Sequence, residues 1–163
     1  MAQTPAAQPP GVLTPADFLF HWQAHRRLTR RVIEAFPEDQ LFTFTPAPPM
    51  RPFGEMAWEI HGVSAHTLNG LVTDVWGEPV WDDRPALDQA TLLAAWDSLS
   101  DRIEAELPTV SPTRYAEEKT LAWGPMTAWA AAIGVLDNEI HHRGQGYVYL
   151  RALGITPPDF WAR

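Results

Sequence analysis

A chain of 163 residues without a single cysteine is sized for one domain with its own core, and it has no disulfide framework, thiolate ligand or cysteine nucleophile to draw on. Its formal net charge of −8 argues against a nucleic-acid partner, because such binding relies on Lys and Arg to neutralise phosphates. No stretch is apolar for long enough to span a bilayer, and the N-terminus lacks a charged and then apolar leader; a soluble, cytoplasmic protein with no membrane partner is the expectation.

Residues 1–12, rich in Pro, Ala and Gln, read as a disordered leader, and 13–163 as a single domain. Thr14 caps a first helix with Pro15 at its opening position, where a missing amide hydrogen costs nothing. The helix runs to about Phe36, with Phe18, Trp22, His25, Val32 and Phe36 on one stripe, and Pro37 stops it. Arg26, Arg27, Arg30 and Arg31 read as a solvated face. His21 and His25, at i and i+4, form a metal-competent pair with no carboxylate nearby, a spacing that is usually incidental.

Four prolines between Thr43 and Pro52 impose an extended connection. A second helix begins near Phe53 and continues to about Trp76, with Phe53, Met56, Ile60, Val63, Leu71 and Val75 on its apolar side and Gly77 and Pro79 as its end. A third spans about Asp88 to Leu107 and carries Leu92, Trp96, Leu99 and Ile103. A loop around Pro108–Pro112 and a less regular stretch to Gly124 lead to a last helix, about Met126 to Leu153, ended by Gly154 and Pro157-Pro158. With four amphipathic segments and no convincing alternating strand, the expected fold is all-α, an up-and-down four-helix bundle. The eight Trp residues at helical spacings belong to core or interface.

The last helix carries the most informative polar run, Asp137-Asn138-Glu139-Ile140-His141-His142-Arg143-Gly144-Gln145. Asn138 and His142 project side by side, and such a pair is half of a metal site. Trp129, Ile133, Leu136, Ile140 and Tyr147 make one stripe of this helix, open to core or dimer contact. Ala131, Gly134, Asn138, His142, Gln145 and Tyr149 make another, small and then polar, which suits a pocket. On the second helix Glu59 and His66 share a face, whereas His61 lies about 200° around from Glu59. A carboxylate beside apolar positions is costly to bury unless paired or metal-bound, which singles out Glu59. His61 and His141 read as ordinary hydrogen-bonding residues.

Met50-Arg51-Pro52-Phe53-Gly54-Glu55-Met56, then His142-Arg143-Gly144-Gln145, then Tyr147 through Pro158 together resemble the DinB/YfiT-like family of metal-dependent enzymes, which is distinct from the DNA polymerase sharing the DinB name. The resemblance covers nearly everything after residue 12. It implies a four-helix bundle, commonly a homodimer, with three His ligands for a divalent metal, one on the second helix and two on the last. Carried over by position, these ligands fall on Glu59, Asn138 and His142, so one of the three is still His. His66 and Gln145 are the residues that would orient ligands or hold a water.

Oxygen donors in place of imidazoles favour Ca²⁺, Mn²⁺ or Mg²⁺, whereas the resemblance itself points to Zn²⁺ or Ni²⁺. The resemblance also implies either hydrolysis or transfer of a low-molecular-weight thiol such as bacillithiol or mycothiol, acting on a small-molecule substrate. A hard ion activates thiolates poorly, which moves weight toward hydrolysis. The alternative is a non-catalytic, stress-associated or small-molecule-binding dimeric bundle with a degenerate site. The sequence names no catalytic side chain.

Overall fold

A computed structural model of the chain describes residues 13–78, 88–122 and 124–163. The leader expected over residues 1–12, and Pro79 as a helix stop, lie outside these. Four long helices dominate: α1 (Pro15–Ala35), α2 (Phe53–Thr73), α3 (Gln89–Glu106) and α4 (Ala128–Ala152). Their starts follow from side chains that satisfy free amides. Thr14 and Asp17 form a reciprocal capping box on α1, Asp88 accepts from the Thr91 amide on α3, and Thr127 accepts from the Ala130 amide on α4.

Two expectations need correction. The helix expected to reach Trp76 ends at Thr73, because Asp74 adopts a left-handed conformation with φ 65°; Val75 therefore falls beyond the helix and is 62% exposed. The stretch before α4 holds an antiparallel hairpin of β1 (Glu118–Leu121) and β2 (Gly124–Thr127), so Met126 opens no helix and the fold is mostly helical with a small β element. Gly124 sits at φ 117° at the turn, a conformation that costs glycine nothing.

The helices pack as a ring in which α2 touches α4 and α3, and α1 touches α3 and α4. Two apolar clusters fill the interior. One joins Phe18 and Trp22 of α1, Leu68 and Leu71 of α2, Leu99 and Ile103 of α3, and Ala132 and Val135 of α4. The other joins Val32, Ile33, Phe53, Ile60, Leu92, Trp96, Tyr149 and Leu150. From these end-to-end pairings α2 and α3 run parallel to each other and antiparallel to α1 and α4. The directions are up, down, down, up, not the strict alternation expected.

Between the clusters lies a buried polar belt of Gln23, His25, Arg26, Thr29, Glu139, His142 and Arg143. Arg26 stacks 4.2 Å over the Trp96 ring and donates to the Trp96 carbonyl and the Ser100 hydroxyl, each at 2.8 Å. Thr29 donates to Glu139 at 2.5 Å, and Arg143 donates to Thr29 at 3.0 Å and to His25 Nδ1 at 2.8 Å. Each buried charge thus has partners, as burial in a low-dielectric interior requires.

Candidate functional site

Successive residues of a helix are rotated by about 100°, so α4 serves two neighbours at once. Glu139 and Arg143 bond to α1, and this lock turns Asn138 and His142 toward α2. Gly146, one turn further on, lets the helices close: a Cβ there would lie 2.5 Å from the Phe53 ring. Glu59, in the first third of α2, meets the α4 pair.

Glu59 Oε1 is 3.0 Å from His142 Nε2 and 3.4 Å from Asn138 Nδ2, while its Oε2 accepts from Arg51 Nη2 at 2.6 Å. Gln145 Oε1 lies 2.8 Å from His142 Nδ1. With a carbonyl oxygen at Nδ1, that nitrogen carries the ring hydrogen and Nε2 aims its lone pair at Glu59. Two acceptors 3.0 Å apart require a cation between them, either a proton or a metal ion. Asn138 Oδ1 is buried and has no hydrogen-bond partner, although a turn of its amide would bring that oxygen to where Nδ2 now meets Glu59. Burial pushes the Glu59 carboxyl up, but the hydrogen bond from Arg51 and, with a proton on Nε2, the one from His142 outweigh it and hold the group below its usual range. Glu59 is therefore an anion here.

Three of the five expected site residues, Glu59, Asn138 and His142, converge, and Gln145 supports the imidazole. His66 is placed elsewhere, about 10 Å further along α2, with its ring centre 6.1 Å from that of Trp76. Among the described residues no group of three or more His, Cys, Asp and Glu gathers to hold a metal; the third polar group beside Glu59 and His142 is the Asn138 amide. One carboxylate, one imidazole and one unpartnered amide oxygen fit a hard divalent cation.

The competing pair also meets, with His21 Nε2 and His25 Nε2 3.2 Å apart. Its surroundings repel cations: Arg143 donates to His25 Nδ1, and Arg163 Nη1 stands 3.1 Å from His25 Nε2. Burial, then Arg143, His21 and Arg163, press the His25 pKa down to about 3. His61 is likewise held at about 4, by burial and then Arg26. Sequence reasoning missed Arg51, Glu139 and Arg143. Arg51 and Arg143 lie inside the family-like motifs, yet nothing in their spacing gave them these contacts.

The DinB family model matches residues 11–163. The chain belongs to the DinB family. Among solved structures, this DinB-family chain is similar to a DinB-like protein from Bacillus cereus ATCC 10987, with 22% identity, a TM-score of 0.70, and coverage of 88% of this chain and 95% of that one. It is also similar to a DinB-like protein, YjoA, from Bacillus subtilis, with 20% identity, a TM-score of 0.73, and coverage of 88% and 96%. At these identities the likeness speaks for the DinB fold alone. No curated protein matches the chain. None of the described helices is long and apolar enough to cross a membrane.

Proposed function

We propose that this DinB-family protein binds a divalent cation through Glu59, Asn138 and His142 and is a metal-dependent enzyme of hydrolase or transferase type acting on a small molecule. The observation that carries the reading is the meeting of Glu59 Oε1 and His142 Nε2 beside a buried Asn138 oxygen that lacks a partner. Gln145 at Nδ1 favours the imidazole tautomer that leaves Nε2 free to donate electrons, and with Arg51 on Glu59 Oε2 it is Oε1 that faces α4. A bound ion would supply Lewis acidity. The oxygen-rich donor set favours Ca²⁺, Mn²⁺ or Mg²⁺ over Zn²⁺ or Ni²⁺, and hydrolysis over bacillithiol- or mycothiol-type transfer.

The test is elemental analysis of purified protein after exposure to Ca²⁺, Mg²⁺, Mn²⁺, Zn²⁺ and Ni²⁺. Wild type is expected to retain one ion per chain, while Glu59→Ala and His142→Ala retain none at unchanged helical circular dichroism. A wild type free of metal overturns the reading, and an ion that survives both substitutions overturns the ligand set. The absence, among the described residues, of a third ionisable donor favours a second reading, a non-catalytic stress-associated or small-molecule-binding bundle. Bound metal without turnover of ester, amide or thiol-plus-electrophile substrates would select it.

We also propose a homodimer through the face shared by α1 and α4. There Phe20, Leu13 and Ile140 are 72%, 46% and 44% exposed around a groove of about 640 Å³, which places a protruding ring and a recess on one surface as a two-fold contact needs. Light scattering of wild type against Phe20→Glu reads this directly: a monomeric wild type rules it out.

A further inference from the structure

We infer that the site takes an oxyanionic substrate, one bearing a carboxylate or phosphate group, and that Arg51 is the side chain that recognises it. This inference rests on the metal reading above and extends it to substrate class. The argument begins with charge. Glu59 is the single anion among the three donors, and Arg51 already forms an ion pair with it at 2.6 Å, so carboxylate and guanidinium cancel. Asn138 and Gln145 are neutral, and an imidazole that donates a lone pair is neutral as well. A divalent ion in this place would therefore leave two uncompensated positive charges at the mouth of the site, which a neutral substrate cannot offset and an oxyanion can.

Geometry makes Arg51 the residue to meet that anion. Only Nη2 is committed to Glu59, out of the five N–H donors a guanidinium carries. The Arg51 side chain is 46% exposed, against 26% for Glu59, so it is the more solvent-open member of the ion pair. The residue does not drift, because Tyr149, itself fully buried, donates its hydroxyl to the Arg51 carbonyl at 2.9 Å, and Pro52 follows with a fixed backbone. Arg51 takes Oε2 and leaves Oε1 toward His142 and Asn138, so the guanidinium and the proposed cation would be held by adjacent oxygens of one carboxylate. A planar fork beside a cation is suited to holding one oxyanion between them.

The experiment titrates acetate, inorganic phosphate and neutral acetamide into Mn²⁺-loaded wild type, Arg51→Met and Arg51→Lys, followed calorimetrically, with metal content measured on each sample. Arg51→Met keeps the backbone carbonyl that Tyr149 uses and most of the side-chain length, so folding is preserved; circular dichroism verifies it. Wild type is expected to bind acetate or phosphate and not acetamide, and the preference between the two anions separates carboxylate from phosphate substrates. Arg51→Met should retain Mn²⁺ and lose about ten- to a hundredfold in anion affinity, the loss of a charge-assisted hydrogen bond, with Arg51→Lys in between. Equal anion affinity in wild type and Arg51→Met, or tight acetamide binding, overturns the proposal while leaving the metal site standing. Loss of Mn²⁺ from Arg51→Met also overturns it, reducing Arg51 to a support for Glu59. A wild type that takes up no Mn²⁺ sinks both readings together.

Discussion

Glu139 carries a carboxyl group with no solvent exposure into the interface of α1 and α4. Burial pushes its pKa up, against the pull of Arg26, Thr29 and Arg143. Its companions are also buried: Arg26 is 1% and Arg143 7% exposed. Removing the carboxyl takes away the acceptor of Thr29 and the acid 3.6 Å from Arg143 in a low-dielectric interior. Glu139→Ala is therefore expected to cost about 3–5 kcal/mol in chemical denaturation, the usual penalty for breaking a buried pair. Glu139→Gln, which still accepts from Thr29, should cost less. The neighbour one position earlier, Asn138, points to the other helix and serves a different purpose, and the sequence did not separate the two. Adjacent polar letters on a helix look alike until the partner helices are known.

At the scale of the elements, the register of α4 against α2 decides whether Glu59 meets Asn138 and His142. Gly146 sets that spacing, with the Phe53 ring where a methyl group would go and Phe53 itself stacked on Phe36 at 4.9 Å. Gly146→Ala should gain roughly 0.5–1 kcal/mol of helix propensity and lose about 1–3 kcal/mol to overpacking. The expected result is a lower denaturation midpoint together with weaker metal retention, because the helices must part near His142. An unchanged midpoint would mean that Phe53 moves freely, contrary to its burial. The start of α1 was legible from Thr14 and Pro15, whose capping is local chemistry. The end of α2 was not, since Asp74 takes a left-handed turn that glycine more often supplies.

At the scale of the whole molecule, two histidines whose pKa values are held down tie stability to pH. His25 and His61 are held at about 3 and about 4, below the ordinary 6.5. As pH falls below about 6.5 the unfolded chain takes up protons that the folded chain refuses, so both residues contribute stability that is full above that value and drains away down to about pH 4 and 3. The denaturation midpoint should fall between pH 7 and 5, and His61→Gln should flatten the fall; a midpoint independent of pH over that range would contradict the neutral state of both rings. What the sequence determined by itself was local and periodic: four helices, the Thr14 cap of the first, the apolar stripes of α1 and α3, and through the motif from Tyr147 to Pro158 the family. It also picked out Glu59, Asn138 and His142, because residue type and position are properties of the letters. The tertiary structure alone decided that α2 runs beside α3 in the same direction, that His66 is drawn to Trp76 while Gln145 supports His142, that two arginines disarm the His21–His25 pair, and that Arg51 reaches Glu59. Each of these depends on the distance between side chains on different elements, which no spacing within one element contains.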